Sequence, residues 1–460
     1  MSESEDRRLV LGAYLSYGTG HHAAAWRHPD AVADGAQNID HYVDLARTAE
    51  RGLFDFMFLS DTPSVFNDDR DGYGSRVVVF EPMTLLSALA MKTTHLGLVA
   101  TASTTYKEPY NVAREFASLD LLSGGRAGWN MVTSSKKDAA HNFGLEEHPE
   151  HGDRYRRAAE FFDVVTGLWD SWDDDAFPRD KERGVFYDPA RRHELGHEGA
   201  HFGVRGELNV SRPPQGHPLV VQAGSSEDGK ELAARTAEAV FTAQPDREAA
   251  RVFRQDLRRR LARYDRVNQD ILVMPGLCPF IGATDEEAQE KFEQLQRLIH
   301  PRLGVAMLSD LVGGFDLSGY DVDGPLPVLP PSNGNRSRRG LIEKLAAEGL
   351  TIRELYERMT IARGHLVLVG SYRRVAETMA RWLRSGAADG FNIMPPQLPG
   401  GLAEFVDHVV PELQKLGVYK DSYREGTLRE KLGLRRPPSR YAPAAGDAPG
   451  HVGSSHYGNR

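Results

Sequence analysis

A TIM-like (β/α)8 barrel carrying insertions is the fold that this 460-residue chain predicts, and three observations lead to it. Apolar runs of strand length alternate with helical patterns along most of the sequence, and such alternation calls for a parallel sheet. The runs number eight, which makes closure into a ring the natural arrangement, with a doubly wound open sheet as the competitor. Around 123–172 a short strand runs out into a long polar loop and then into a helix. That is how a βα unit presents chemistry at the carboxyl end of its strand.

In chain order, Leu9–Leu15 reads as the first strand and Ile39–Arg51 as the helix after it. Phe54–Asp61, containing FDFMFLS, is paired with a helical pattern at Pro82–Thr93, and Leu96–Ser103 with one at Asn111–Leu122. Arg126–Ser134 comes next. Its helix, Tyr155–Trp172, has Ala158, Ala159, Phe162, Val165, Leu168, Trp169 and Trp172 at three- and four-residue spacing, which marks an amphipathic face. The strand Pro218–Gly224 precedes Glu227–Ala237, Ala239–Gln244 precedes Arg247–Tyr264, and Ile271–Ile281 precedes Asp285–Leu298. Gly390–Pro395 completes the set, flanked by helical patterns at Val375–Ser385 and Leu402–Leu416.

Two segments break the repeat: a polar stretch rich in Pro, Gly and His at 173–215, and 300–340, which includes SGYDVDGPLPVLPPSNGNRSRRG. Long structureless segments in a compact domain are usually functional lids or disordered. Residues 1–435 are therefore expected to form a single barrel domain with these two insertions. Residues 436–460 are expected to be a flexible tail or partner-contacting arm.

The formal net charge of -9 offers no basic stripe for nucleic acid. Arginines between Arg254 and Arg266 alternate with Leu257, Leu261 and Tyr264, the pattern of a solvated helix face. The single cysteine, Cys278, sits in an apolar run and reads as a buried structural thiol. The N-terminus has no apolar signal core and no apolar run reaches the ~20 residues of a membrane span. A soluble cytoplasmic protein is expected.

Several residues stand where chemistry is usually placed. Asp61 closes the second strand, and an acid there is costly to bury unless it binds something; the bland alternative is a cap on the next loop. Thr101 ends the third strand among small side chains that leave space for a planar ring, although a plain strand-end threonine has the same look. Asn130, in GWNMVTS, points to the same mouth if strand alternation holds. His151 and Tyr155, four apart at a helix start, share one face. Gly224-Ser225-Ser226 opens a helix whose N-terminus suits a phosphate, provided Glu227 and Asp228 turn outward; a simple serine cap is the alternative. His193-Glu194-Leu195-Gly196-His197 matches H-E-x-x-H, which works only on a helix, and Gly196 and Gly199 interrupt one here. Walker A, G-x-G-x-x-G after a strand, and G-x-S-x-G patterns are missing, which disfavours ATP and Rossmann-type dinucleotides.

GGRAGWNMVTS, the NFG at 142–144, His151-x-x-x-Tyr155, the Ala-x-Glu-Phe at 158–161 and Leu168-Trp-Asp-Ser-Trp172 together resemble the nitrilotriacetate / dibenzothiophene-sulfone monooxygenase family, the long-chain branch of the bacterial-luciferase-like flavin enzymes. The resemblance continues through GHHAAAWRHP from Gly20, TTYKEPYNVAREFASLD from Thr104, VQAGSSEDGKELAA from Val221, SGYDVDGPLP from Ser318 and GAADGFNIMP from Gly386, so it spans about residues 10–420. It implies a luciferase-like barrel, with 300–340 covering the active-site mouth.

It also implies reduced FMN as cosubstrate, delivered by a separate NAD(P)H:flavin reductase. Dioxygen would react at the flavin, and the resulting peroxide would oxidise a small organic substrate. Asp61, Thr101 and Asn130 would then line the ring, His151 and Tyr155 the ribityl or phosphate side, and Ser225 and Ser226 the phosphate. His21 or His22, in the loop after the first strand, could contact substrate or assist the oxygen chemistry. Homodimers or homotetramers are usual in the family. Two alternatives stay open: a deazaflavin-dependent oxidoreductase of the same superfold, and a zinc hydrolase built on His193, Glu194 and His197.

Overall fold

In the computed structural model, which describes residues 7–65, 71–134, 136–266, 271–331 and 336–442, the apolar runs become strands Val10–Tyr14 (β1), Phe56–Leu59 (β2), Gly97–Ser103 (β3), Ala127–Val132 (β4), Leu219–Ala223 (β5), Ala239–Thr242 (β6), Leu272–Gly282 (β7), Leu366–Ser371 (β8) and Gly390–Ile393 (β9). All pair in parallel. The order β9-β1-β2-β3-β4-β5-β6-β7 closes on itself because Ala239 pairs with Leu272 and Asn392 with Gly276. The ring of eight is thus as the sequence predicts. β8, LVLVGS, is an addition that the apolar pattern did not yield: it pairs outside the ring with the upper half of β7, from Leu366 opposite Leu277 to Ser371 opposite Gly282.

Alternation sorts the side chains into two layers. Tyr14, Phe58, Val99, Val221 and Phe241 fill the barrel. Trp129 points the other way, packing on Phe116, Phe161 and Trp169 of the surrounding helices, with its indole N–H donating to Ala102 O at 3.2 Å. Its neighbour Asn130 must then face inward.

The second insertion corrects an expectation. Residues 301–311 are not structureless: Pro301–Leu311 is a helix, and with Arg336–Ala347 and Ile352–Ala362 it builds a small core of its own around Leu308, Ile342, Leu355 and Tyr356. Pro301 takes the first helical turn, where a missing N–H costs nothing. Gly304 is required by contact, since a Cβ there would lie 2.4 Å from the Tyr356 ring. Residues 332–335 of this segment lie outside the described residues.

The first insertion follows Pro/Gly turns and is fastened to the C-terminal segment. Arg212 donates to Pro437 O at 2.9 Å, Arg436 pairs with Asp174, and the Tyr441 ring stacks on His193 at 4.1 Å. Of the predicted tail, 443–460 lies outside the described residues. No helix among the described residues is long and apolar enough to cross a membrane.

Candidate active site

The carboxyl ends of the strands form a mouth floored by three aromatic rings. Tyr14 and Phe58 lie 5.7 Å apart, Tyr14 and Phe241 5.7 Å, and Phe58 and Phe241 5.5 Å. Above this floor stand Thr101 and Asn130, paired across β3 and β4 and 4% and 3% exposed. Thr101 Oγ1 donates to Leu59 O at 2.8 Å and accepts from Asn130 Nδ2 at 2.8 Å. The threonine hydroxyl is therefore held by the protein, with one lone pair remaining, and it orients the amide. Asn130 Oδ1 is buried with no hydrogen-bond partner among the described residues. A buried carbonyl in that state costs about 1–3 kcal/mol, which marks it as built for something that arrives.

Asp61 follows β2 half-buried. Burial, and then repulsion from Glu81, raise its carboxyl above the usual range. The preceding Ser60 is fixed by Tyr14, whose hydroxyl donates to Ser60 Oγ at 2.9 Å.

On the β4–β5 side the helix His151–Trp169 starts at His151, earlier than its apolar periodicity, and places His151 and Tyr155 one turn apart with ring centroids 4.8 Å from each other. The Tyr155 hydroxyl lies 3.5 Å from Ser226 Oγ. Ser226 caps the helix Glu227–Thr236 by accepting from Gly229 N at 3.1 Å, and its own hydrogen can go to the Tyr155 hydroxyl or to a ligand. A Cβ at Gly229 would come within 3.0 Å of Ser226 Oγ and 3.3 Å of the Tyr155 hydroxyl, so a glycine keeps this niche open. Ser225, half-buried, precedes the cap. Glu227 is turned outward onto Lys230 and Arg260. Asp228 is not: its carboxylate meets His151 Nδ1 at 3.0 Å. An anion in the niche would find the opposite ring nitrogen, Nε2, as the imidazole's remaining group.

The two histidines after β1 have different fates. His22 is held at both nitrogens: Nδ1 accepts from Ala24 N at 3.2 Å and Nε2 faces Gln296 Oε1 at 2.9 Å. Burial drives its pKa down to about 4. It is a neutral anchor between the first loop and the helix Asp285–Arg297. His21 lies in the mouth, 4% exposed, its ring 5.6 Å from Tyr14.

The zinc reading fails on geometry. His193 lies in an irregular stretch and His197 on a two-residue strand, not on a helix, and each meets a separate carboxylate, Asp173 at 3.0 Å and Glu160 at 3.1 Å. Among the described residues no group of three or more His, Cys, Asp or Glu side chains could hold a metal ion.

Sequence reasoning missed part of the mouth. Tyr17, Arg76, Arg363 and His365 are placed there, with the His365 ring stacked on Phe241 at 4.9 Å and Arg76 over Tyr17 at 4.1 Å. Arg76 lies in an irregular loop with no periodicity to read. Arg363 and His365 precede β8, and they reach the mouth only because β8 starts level with Leu277, where Ile393 of β9 also pairs, a placement that no strand-end rule predicts.

Comparison with known proteins places this geometry. Residues 19–389 match the family described as luciferase-like monooxygenase. The N-acetyl-S-(2-succino)cysteine monooxygenase of Bacillus subtilis (strain 168) is 51% identical over 442 residues, covering 95% of this chain and 99% of the relative. Nitrilotriacetate monooxygenase component A of Aminobacter aminovorans is 48% identical, with 95% and 99% covered. Among solved structures, DmoA from Hyphomicrobium sulfonivorans superposes with a TM-score of 0.84 at 34% identity, covering 93% of this chain and 92% of that one.

Proposed function

Because this chain belongs to the luciferase-like monooxygenase family, and is thereby a flavin-dependent monooxygenase of small organic substrates, we propose that it is the oxygenase of a two-component system, taking reduced FMN from a separate NAD(P)H:flavin reductase. The relative called component A supports the division of labour. The deazaflavin alternative is not favoured, since solved F420-dependent enzymes share only 13–14% identity, a likeness of fold alone.

The observation that carries the cofactor reading is the buried Asn130 Oδ1, facing the mouth with no hydrogen-bond partner among the described residues. It is the acceptor that a ring N–H of an isoalloxazine requires. Ser225, Ser226 and Tyr155, with the open niche at Gly229, suit the phosphate at a helix N-terminus. The His151 ring, held at Nδ1 by Asp228, would turn Nε2 to the phosphate.

The bound flavin would supply the reaction with dioxygen. This chain's residues do the rest. Tyr14, Phe58 and Phe241 make a dry floor that keeps water from the reacting atoms. Thr101 fixes the Asn130 amide so that it need not reorganise on binding. Asp61, half-buried at the end of β2 with its carboxyl shifted upward by burial, would line the ring. His21 remains the candidate for substrate contact.

The test is a substrate screen with supplied reduced FMN and oxygen-18 gas, beginning with the thioether and amine acids named for the relatives. One oxygen-18 atom per product is expected. Product formation with reduced deazaflavin and none with reduced FMN would overturn the reading.

A further inference from the structure

Arg76 carries a charge that the described residues do not neutralise. It is 4% exposed, its Nη2 donates to His21 O, and its Nη1 has no hydrogen-bond partner among the described residues. Burial, with repulsion from Arg363, lowers its pKa only to about 10, so it is cationic at neutral pH. Among the described residues, the groups with acidic protons that act most on it are Tyr17, Tyr14 and Cys278. Burial holds the Tyr14 phenol and the Cys278 thiol well above their ordinary values, so both are neutral. Tyr17 alone is different. Burial pushes its phenol up, yet Arg363 and Arg76 outweigh that and bring it below the ordinary value. Tyr17 therefore has a positive neighbour, the Arg76 guanidinium, 4% exposed and 4.1 Å from the centre of its ring. A buried cation without an ionised partner is costly, by several kcal/mol in general, unless a ligand provides the counter-charge.

The position of this charge says which ligand. Arg76 is tied to the loop after β1 through His21, whose N–H in turn donates to Pro395 O, just past β9. In a ring ordered β9-β1-β2-β3-β4-β5-β6-β7, β9 and β1 stand across the mouth from β4 and β5, which carry Asn130 and the Ser225–Ser226 niche. The aromatic floor separates the two sides.

We propose that Arg76 forms a carboxylate-binding subsite beside Tyr17, and that the substrates are small organic acids whose carboxylate docks there while the oxidised atom faces the opposite side of the mouth. This rests on the monooxygenase reading for the word substrate, but the subsite itself can be tested without flavin. A planar guanidinium binds a carboxylate through two parallel N–H donors, and such charge-assisted pairs are the strong ones.

The experiment is calorimetric titration of the intact protein with thiodiglycolate, iminodiacetate and carboxymethylthiosuccinate, each against its methyl ester, for wild type, Arg76→Gln and Arg76→Lys. At least one acid is expected to bind wild type tenfold or more tightly than its ester. Arg76→Gln should weaken that acid about tenfold to a hundredfold and Arg76→Lys by less, while reduced-FMN affinity stays within about twofold. Esters binding as well as acids, or no acid binding wild type, would overturn the proposal. So would an Arg76→Gln variant that loses reduced FMN as much as it loses acid, because the guanidinium would then serve the flavin. Acid binding that depends on Arg76, without oxygen-dependent turnover when reduced FMN is supplied, would sustain the subsite and sink the monooxygenase reading alone.

Discussion

Replacing Asn130 with leucine separates what this residue does for the fold from what it does for a ligand. The side chain is 3% exposed, donates to Thr101 and leaves Oδ1 without a partner. Removing the amide forfeits one hydrogen bond, about 1 kcal/mol, and relieves an unsatisfied buried acceptor worth about 1–3 kcal/mol. The free protein should therefore be as stable as wild type or slightly more so. The ligand loses an acceptor in a dry site, about 1–3 kcal/mol, which raises Kd roughly fivefold to a hundredfold. With reduced FMN at a hundred times the wild-type Kd, binding stabilises wild type by about 2.7 kcal/mol and the variant by only about 0.4–1.8 kcal/mol. Anaerobic calorimetry gives the Kd, and urea unfolding with and without FMN gives the stabilisation. A variant that binds reduced FMN as tightly as wild type would refute the assignment of Asn130 to the flavin.

Tyr155→Phe and Ser226→Ala should each weaken FMN about tenfold, the worth of one charge-assisted hydrogen bond, and leave riboflavin within about twofold; equal losses for both ligands would remove the phosphate from this niche. His22 is held neutral, so the unfolded chain takes up its proton first: the stability it contributes is present above its ordinary pKa of 6.5 and is lost as pH falls towards 4. Denaturant unfolding at pH 7.5 and pH 5 should show the stability gap between wild type and His22→Gln shrinking by about 2 kcal/mol at the lower pH, and a constant gap would contradict the buried neutral imidazole. Asp170, 2% exposed, accepts from Arg212, His217 and Arg440 N; Asp170→Ala should destabilise by about 3–5 kcal/mol in the same assay, and a loss below about 1 kcal/mol would show that this network is not what fastens the first insertion.

The barrel was legible because its strands are buried on both faces, so each stands out as a short apolar run between amphipathic helices. β8 was missed because it borders the ring instead of lining it, and nothing in LVLVGS distinguishes a flanking strand from a buried loop. The helix Pro301–Leu311 hid behind a proline and a glycine, each of which has a local reason, the first turn and the Tyr356 ring, that only packing reveals. In the mouth, strand alternation correctly sent Asn130 inward, and four-residue spacing put His151 beside Tyr155. Two details lay beyond pattern. The adjacent histidines look alike in sequence, but contact with Gln296 makes His22 an anchor. Asp228, which a phosphate site should repel, is held by His151. Long-range pairs of this kind, and buried arginines on irregular loops, leave no periodic trace.

The central claim is that a phosphorylated flavin lies across the mouth of this barrel, its tail at one helix start and its ring beside β3 and β4. A crystal structure of the protein with FMN, grown without oxidant, measures this most directly. The phosphate should be found among Ser225, Ser226 and Tyr155, with a ring N–H within hydrogen-bond distance of Asn130 Oδ1. FMN bound elsewhere on the molecule, with that amide oxygen still unpartnered, would contradict the account.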